Sequence, residues 1–225
     1  MEDIHYNNVI MNVIRFVNSP VSSNSYVVFV RENDDCIVID PGSKNPEELI
    51  LFLEKHRLTP SFVLLTHEHF DHVWGSNIIK EKYGSKIVCS QRCFEKISTP
   101  QNYFNLLYFN DDTYFRIEQV DIIIDDLFSV NWLGENFQFI KTPGHSSSSI
   151  CIYMNNALFT GDTIMNGIKT FIKKKHEGSV IEFANSIKTI FEAYSLDTLV
   201  YPGHGDPFYL REVEDFYMNY RNCNN

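Results

Sequence analysis

The chain has 225 residues, of which 44% are hydrophobic and 21% charged, a balance typical of a globular protein with a buried core. Its net charge of −10 argues against a nucleic-acid partner, because phosphate binding requires a basic surface. No apolar stretch reaches the length of a membrane span, and the acidic N-terminus lacks the basic and apolar regions of a signal peptide, so we expect no membrane partner and a cytoplasmic location.

Apolar alternation predicts several strands in the first half of the chain, separated by turn residues and followed by αβ units. Asn45 is expected to cap the first helix, with Pro46 in its first turn and an apolar stripe after it. The remaining elements predicted in this half are strands near Val9–Val17, Tyr26–Val30, Cys36–Asp40, Ser61–Thr66 and Lys86–Ser90, and a helix over Val73–Tyr83.

Residues 98–118 are rich in aromatic side chains without a clear period. They are interpreted either as a lid or pocket wall, or as an insertion that packs against the core, as aromatic residues usually do. Beyond them, Asn155-Asn156 indicates a hairpin turn, and Ser179 is expected to cap a helix. The other elements predicted here are strands at Val120–Ile124, Phe137–Thr142, Ser149–Met154, Ala157–Thr160 and Thr198–Tyr201, and a terminal helix at Arg211–Tyr220.

Hairpins mixed with αβ units favour an α/β fold of two mixed sheets flanked by helices. No linker rich in Pro, Gly or Ser divides the chain, so one domain spanning residues 1–225 is expected. The five cysteines are odd in number and irregularly spaced, which predicts a reducing compartment and no disulfides.

Three imidazoles and two carboxylates fall within six positions just after the apolar run Phe62-Val63-Leu64-Leu65. The segment reads Thr66-His67-Glu68-His69-Phe70-Asp71-His72. Side chains of this kind at this spacing are typical of a metal-binding cluster, and such clusters activate water. The segment therefore indicates a metal-dependent hydrolase.

Three further metal-type side chains repeat one layout, in which an apolar strand and a small turn precede the side chain. His145 follows Pro143-Gly144, Asp162 follows Gly161, and His204 follows Pro202-Gly203. Loops at strand ends are where sheets present functional groups, and glycine permits tight backbone geometry there.

Seven nitrogen and oxygen donors are too many for one tetrahedral ion. They suit two divalent ions, about 3.5–4 Å apart in hydrolytic sites, with a shared carboxylate. The absence of cysteine argues against a purely structural zinc site. Zinc is the default metal for these donors, although iron and manganese use the same ones. The predicted ligands are His67, His69, Asp71, His72, His145, Asp162 and His204.

With these residues in hand, the chain resembles the metallo-β-lactamase superfamily. The resemblance runs from about Asn24-Ser25-Tyr26 to His204-Gly205-Asp206 and implies an αβ/βα sandwich with the metals at one edge of the two sheets. The motifs that carry it are Val38-Ile39-Asp40-Pro41-Gly42, Thr66 to His72 with Gly75, Thr142-Pro143-Gly144-His145-Ser146, Phe159-Thr160-Gly161-Asp162 and Tyr201-Pro202-Gly203-His204-Gly205.

The resemblance also implies how the ligands divide. His67, His69 and His145 would hold the first metal, Asp71, His72 and His204 the second, and Asp162 would bridge them. Asp40 would orient ligands through hydrogen bonds. The alternative interpretation is that Asp40 is only a turn residue before Pro-Gly. Asp71 would act in catalysis by orienting the attacking water as well as by binding metal.

Within the superfamily the chain is most similar to the glyoxalase II-like hydrolases, with two departures. Glyoxalase II has a helical C-terminal domain after the last histidine, whereas only 21 residues follow His204 here, so we expect that domain to be absent. The group also often has an Arg-Thr-Asp-type stretch after the bridging Asp, where this chain has Gly167-Ile168-Lys169-Thr170-Phe171.

The leading hypothesis is a hydrolase that uses metal-activated hydroxide on a small-molecule thioester or ester, as a hydroxyacylglutathione hydrolase does. The first alternative is a persulfide dioxygenase, in which one iron would be held by His67, His145 and Asp162. The second is a metal-binding module without turnover. The sequence identifies no substrate contacts and no oligomeric state.

Overall fold

The computed structural model describes residues 11–101, 103–124, 129–174 and 177–221. The first half of the chain forms a six-stranded sheet in which the strands lie in chain order. The first three strands pair antiparallel and the rest parallel. They are β1 (Asn12–Val17), β2 (Asn24–Phe29), β3 (Asp35–Ile39), β4 (Thr59–Leu64), β5 (Lys86–Ser90) and β6 (Ile122–Ile124).

The second half forms another six-stranded sheet, again with neighbouring strands in chain order. Its strands are β7 (Ser129–Trp132), β8 (Glu135–Lys141), β9 (Ile150–Met154), β10 (Ala157–Gly161), β11 (Leu199–Pro202) and β12 (Phe208–Tyr209). All pairs are antiparallel except β10 with β11. The β9–β10 hairpin turns at Asn155 and Asn156 as predicted, with positive φ angles of 47° and 61°.

Helices cover the outer face of each sheet. They are α1 (Glu47–His56), α2 (Phe70–Val73), α3 (Ser76–Tyr83), α4 (Gln91–Ile97), α5 (Tyr103–Phe109), α6 (Val180–Ala193) and α7 (Glu214–Arg221), with a 3₁₀ helix at Leu210–Val213. The predicted cap of α6 is confirmed, since the Ser179 side chain accepts a hydrogen bond from the Glu182 amide. None of the helices in the described ranges is long and apolar enough to cross a bilayer.

Three apolar clusters hold these layers together. One lies between the sheets, where Tyr26 and Ile39 of the first meet Phe139 and Phe159 of the second. The other two lie between each sheet and its helices. Because helices, sheet, sheet and helices pack in that order, the predicted αβ/βα sandwich of two mixed sheets is confirmed.

Several predicted boundaries were wrong. The expected helix over Val73–Tyr83 is two helices, because the amide of Gly75 turns to bond the Pro41 carbonyl at 2.7 Å. Asn45 is not the cap of α1, which begins at Glu47 with Pro46 at the capping position. Neither α4 nor β7 was predicted from the sequence. In the first predicted strand, residues 9 and 10 lie outside the described ranges.

The aromatic-rich region 98–118 has a mixed character. It contains α5, where Leu106 to Phe109 are exposed, followed by the fully buried Ile117. Core packing therefore accounts for only part of it. Cys36, Cys89, Cys93 and Cys151 are buried and free, as expected, and Cys223 lies outside the described residues.

Candidate metal centre

All seven predicted ligands lie in one cluster at the carboxyl ends of four strands. β4 leads into the histidine-rich segment, β8 into His145, β10 into Asp162 and β11 into His204. The loops meet because the two sheets are packed face to face, so that these strand ends share one edge of the sandwich.

The first group of donor atoms comes from His67, His69, His145 and Asp162, whose donor atoms all lie within 4.8 Å of one another. His69 Nδ1 is 3.0 Å from His145 Nε2. Asp162 Oδ2 lies 3.5 Å from the same His145 nitrogen. Three imidazoles and one carboxylate oxygen therefore face a common point, as a cation with tetrahedral coordination requires.

The second group consists of Asp71, His72 and His204. Asp71 Oδ2 lies 3.5 Å from His204 Nε2 and 3.8 Å from His72 Nε2. Asp162 Oδ1 approaches the same two nitrogens, at 3.4 Å from His72 and 3.5 Å from His204. One oxygen of Asp162 thus faces each group, which is the arrangement a bridging carboxylate needs.

Hydrogen bonds at Nδ1 orient four of the five imidazoles. Each of these bonds goes to a protein oxygen, which places a ring proton on Nδ1 and directs Nε2 at the cluster. The acceptors are Thr66 Oγ1 for His67, Asp40 Oδ2 for His72, the Phe171 carbonyl for His145 and the Ser22 carbonyl for His204.

Asp40 lies behind the cluster and has its acceptor sites occupied. Its Oδ2 accepts from His72 Nδ1 at 2.9 Å and from the Thr66 hydroxyl at 2.6 Å, while Oδ1 accepts from the Thr66 amide at 2.8 Å. The Thr66 hydroxyl in turn accepts from His67 Nδ1 at 3.0 Å. A single carboxylate therefore orients two imidazoles.

Buried polar atoms without hydrogen-bond partners provide a test of whether these residues suit a cation. His67 Nε2, His72 Nε2 and Asp162 Oδ1 are fully buried and have no hydrogen-bond partner. Buried polar atoms are normally satisfied, because an unpaired one costs about 1–3 kcal/mol. Three such atoms in one cluster, all of metal-ligand type, fit a divalent ion.

The charges in the metal-free cluster compensate one another. Burial opposes ionisation of Asp162 and Asp71, but the adjacent His72 and His204 lower the pKa of both carboxyls. Burial likewise opposes the charge on His72, yet the two carboxylates raise its pKa well above the ordinary value. They also outweigh burial at His204 and raise its pKa to about 9. Protons thus occupy positions that a cation would take.

A buried polar network beside the cluster was not predicted. The Glu68 carboxylate accepts from Lys96 Nζ at 2.8 Å, from Ser146 Oγ at 2.7 Å and from Ser148 Oγ at 2.5 Å. Burial would raise the pKa of Glu68, but His69, Lys96 and the two hydroxyls lower it to about 2. The network joins the histidine-rich segment to the His145 loop. Glu68 lies within the predicted motif, whereas nothing in the sequence singled out Lys96.

The sequence profile of the metallo-beta-lactamase superfamily matches residues 18–206. The hydroxyacylglutathione hydrolase of Pelagibacter ubique (strain HTCC1062) is 30% identical over 195 residues, which are 85% of this chain and 70% of that protein.

Two solved structures share the fold at lower identity. The B3 metallo-beta-lactamase BLEG-1 has a TM-score of 0.77 and 22% identity, over 91% of this chain and 97% of that one. ETHE1 from Myxococcus xanthus has a TM-score of 0.70 and 20% identity, over 95% and 92% of the two chains. The profile match spans most of the chain, and with the sandwich and its edge cluster it shows that the chain belongs to the metallo-beta-lactamase superfamily, whose members are typically metal-dependent hydrolases.

Proposed function

We propose that this protein is a binuclear metal-dependent hydrolase of a small-molecule thioester or ester, similar to the hydroxyacylglutathione hydrolases. The observation that carries the proposal is the set of buried atoms without hydrogen-bond partners, which are His67 Nε2, His72 Nε2 and Asp162 Oδ1. The relative that is 30% identical supports the thioester class, because its name specifies a hydroxyacyl glutathione substrate.

The donor set divides as the superfamily resemblance implies. His67, His69 and His145 would hold one ion, and Asp71, His72 and His204 the other, with Asp162 on both. The nitrogen and oxygen donors suit zinc, and also iron or manganese. When bound, such ions supply Lewis acidity that activates water and polarises the substrate carbonyl.

The protein's own groups would position the reactants. Asp71 has a lowered pKa and is therefore a carboxylate near neutral pH, able to accept a hydrogen bond from the attacking water. Asp40 and Thr66 fix the rings of His72 and His67, which keeps their Nε2 atoms aimed at the cluster. His69 and His204 are partly exposed, so the cluster is accessible to a substrate from one side.

The test is metal quantification on protein purified without added metal, followed by a hydrolysis assay. We expect two ions per chain and turnover of a thioester in a panel that also contains an ester, a lactone and a β-lactam. His67→Ala and Asp162→Ala should lose both metal and activity. His56→Ala is the matched control, because the His56 ring pairs with Glu32 outside the cluster. Full activity in either cluster variant would overturn the proposal.

A persulfide dioxygenase is the second candidate. It is favoured by the first donor group, because His67, His145 and Asp162 lie together in it and would suffice for one iron. A single iron per chain, with oxygen uptake on addition of glutathione persulfide and no thioester hydrolysis, would establish it. Bound metal without turnover in either assay would instead indicate a binding module.

A further inference from the structure

Glu68 joins the two loops that carry the imidazoles of the first donor group. It stands between His67 and His69 in the sequence, and Ser146 directly follows His145. The Ser146 hydroxyl donates to the Glu68 carboxylate and lies 2.8 and 2.7 Å from its two oxygens. Each of the three imidazoles is therefore one residue away from this hydrogen bond.

Further contacts fix the same carboxylate to α4. Lys96 Nζ on that helix lies 2.8 Å from Glu68 and 3.1 Å from the fully buried Ser146 hydroxyl. Ser148 also donates to the carboxylate, and its own carbonyl accepts at 2.9 Å from Ser90, the residue that caps α4. Hydrogen bonds to ionised groups away from water are strong, so this network holds the two loops firmly against the helix.

The second donor group is supported by a different segment, the start of β2. The buried Asn24 side chain donates to the carbonyls of Pro202 and Gly205 at 2.9 and 2.7 Å, on either side of His204. The backbone amide of Asn24 donates to the Gly203 carbonyl at 2.7 Å. The loops of the two donor groups are thus held by separate hydrogen-bonded networks, which can be altered one at a time.

We propose that Glu68 is a positioning residue for the metal position of the first donor group, and that it acts by holding the His145 loop through Ser146 and Lys96. This inference rests on the two-metal assignment of the proposed function, and adds that separate networks set the affinities of the two positions. Donors that are already held in place lose less conformational freedom on binding, so loosening one loop weakens the ion bound there.

The experiment measures zinc affinity at each position separately, from the nitrogen-15 resonances of the His145 and His204 rings as free zinc is set with a chelator. Glu68→Gln keeps the size of the side chain but removes its charge and one acceptor oxygen. We expect zinc affinity at the first position to fall about 10–100-fold, and at the second by less than about threefold. Asn24→Ala should give the opposite pattern.

Glu54→Gln is the matched control, because Glu54 pairs with Lys82 at the surface, and it should change neither affinity. Ser146→Ala provides a second variant at the network and should also weaken the first position. Combined with Glu68→Gln it should add little to the larger single effect, because both changes break the same hydrogen bond. A role confined to folding would lower the free energy of unfolding in urea without separating the two zinc affinities.

The proposal is overturned if Glu68→Gln weakens both positions equally or weakens the same position as Asn24→Ala. It is also overturned if neither Glu68→Gln nor Ser146→Ala weakens the first position.

The measurement uses no substrate, so it is independent of turnover. If the wild type bound zinc at both positions but hydrolysed no ester or thioester, the hydrolase proposal would fail, while selective loss at the first position in Glu68→Gln would still support the role of Glu68. If the wild type hydrolysed thioesters and Glu68→Gln kept its zinc affinity, the positioning proposal alone would fail. Absence of zinc from the first position of the wild type would overturn both.

Discussion

At the scale of single residues, Asp40 orients the candidate ligands without facing the cluster. It has a positive φ of 49°, a conformation that Asp and Asn both tolerate. Asp40→Asn should keep the backbone, but an amide nitrogen in place of Oδ2 would oppose the Nδ1 proton of His72. We expect metal affinity to fall by about 10–100-fold, measured by competition with a chromophoric chelator.

Asp112→Asn is the control for this change, because Asp112 is exposed. It alters the net charge by the same amount and should leave metal affinity unchanged. If Asp40→Asn also retained wild-type affinity, Asp40 would be a turn residue before Pro41-Gly42, as the alternative interpretation of the sequence held.

Gly203 lies so close to two candidate ligands that a side chain would not fit there. A Cβ there would lie 2.2 Å from Asp162 Oδ1 and 2.9 Å from His72 Cε1, so Gly203→Ala should displace the carboxylate and reduce bound metal at least tenfold by elemental analysis. Gly84→Ala is the comparison, since its Cβ would meet no atom within 4 Å although φ is +72°. It should cost about 1 kcal/mol of stability and keep the metal. Equal metal content in both variants would contradict this interpretation.

At this scale the sequence predicted the candidate ligands better than it predicted the groups that hydrogen-bond to them. His145 and His204 follow Pro-Gly turns, a pattern visible along the chain. Their Nδ1 atoms donate to the backbone carbonyls of Phe171 and Ser22. Every residue has a backbone carbonyl, so residue type cannot identify these acceptors. Such contacts between residues far apart in sequence depend on the tertiary fold.

At the scale of elements, the sequence predicted the long apolar strands but not the short helix α4 or the break between α2 and α3. Strands such as β4 and β10 are buried runs that end at turns, so their pattern is clear. By contrast, α4 has seven residues and only Cys93 and Ile97 buried, a spacing too brief to establish a period. The break between α2 and α3 also escaped prediction, because it results from the contact of Gly75 with the Pro41 carbonyl.

The missed helix α4 contributes Lys96, whose ammonium lies 2.8 Å from the buried Glu68 carboxylate. Lys96→Met leaves that carboxylate without its cation, although the serine hydroxyls remain. We expect a loss of about 1–3 kcal/mol in the free energy of unfolding, measured with urea, because removing one partner of a buried pair leaves an uncompensated charge. The pKa of Glu68 should rise from about 2.

Lys82→Met provides the control for Lys96→Met. Its ammonium pairs with Glu54 at 2.8 Å, but both side chains are at least 42% exposed, so the loss of stability should be smaller than for Lys96→Met. The double variant Glu68→Gln with Lys96→Met should regain part of the stability lost by Lys96→Met alone. Equal losses for the two lysine variants would show that the pair near the cluster contributes no more than a surface pair.

At the scale of the whole molecule, the candidate ligands divide between the two sheets. Four follow β4 of the first sheet, and His145, Asp162 and His204 follow strands of the second. An ion held by both sets would link the sheets, and binding to the folded state alone would stabilise the protein by about 2.7 kcal/mol at a concentration 100 times Kd. The rise in melting temperature on adding metal therefore reports how tightly the edge cluster binds it.

This metal-induced rise in Tm should itself increase with pH. In the metal-free protein His204 has a pKa of about 9 and is protonated at pH 7, so a cation must displace a proton to bind its Nε2. Below pH 9, metal affinity should increase at least tenfold per pH unit, which is about 1.4 kcal/mol. For a chain of this size that corresponds to about 3–6 °C per unit in differential scanning calorimetry between pH 6 and 8 at fixed excess zinc.

The metal-free protein accounts for this increase with pH. A folded-state pKa raised above 6.5 stabilises the protein fully at low pH, and that contribution is lost as the pH rises toward 9. The metal-free Tm should therefore decline as the pH rises above about 6.5, whereas the zinc-bound Tm should change little, because His204 is then unprotonated in both the zinc-bound and the unfolded protein. His56→Gln removes a histidine outside the cluster and should leave the slope unchanged. A zinc-induced rise in Tm that is constant from pH 6 to 8 would mean that zinc binding displaces no proton, which would contradict either the raised pKa of His204 or its role as a ligand.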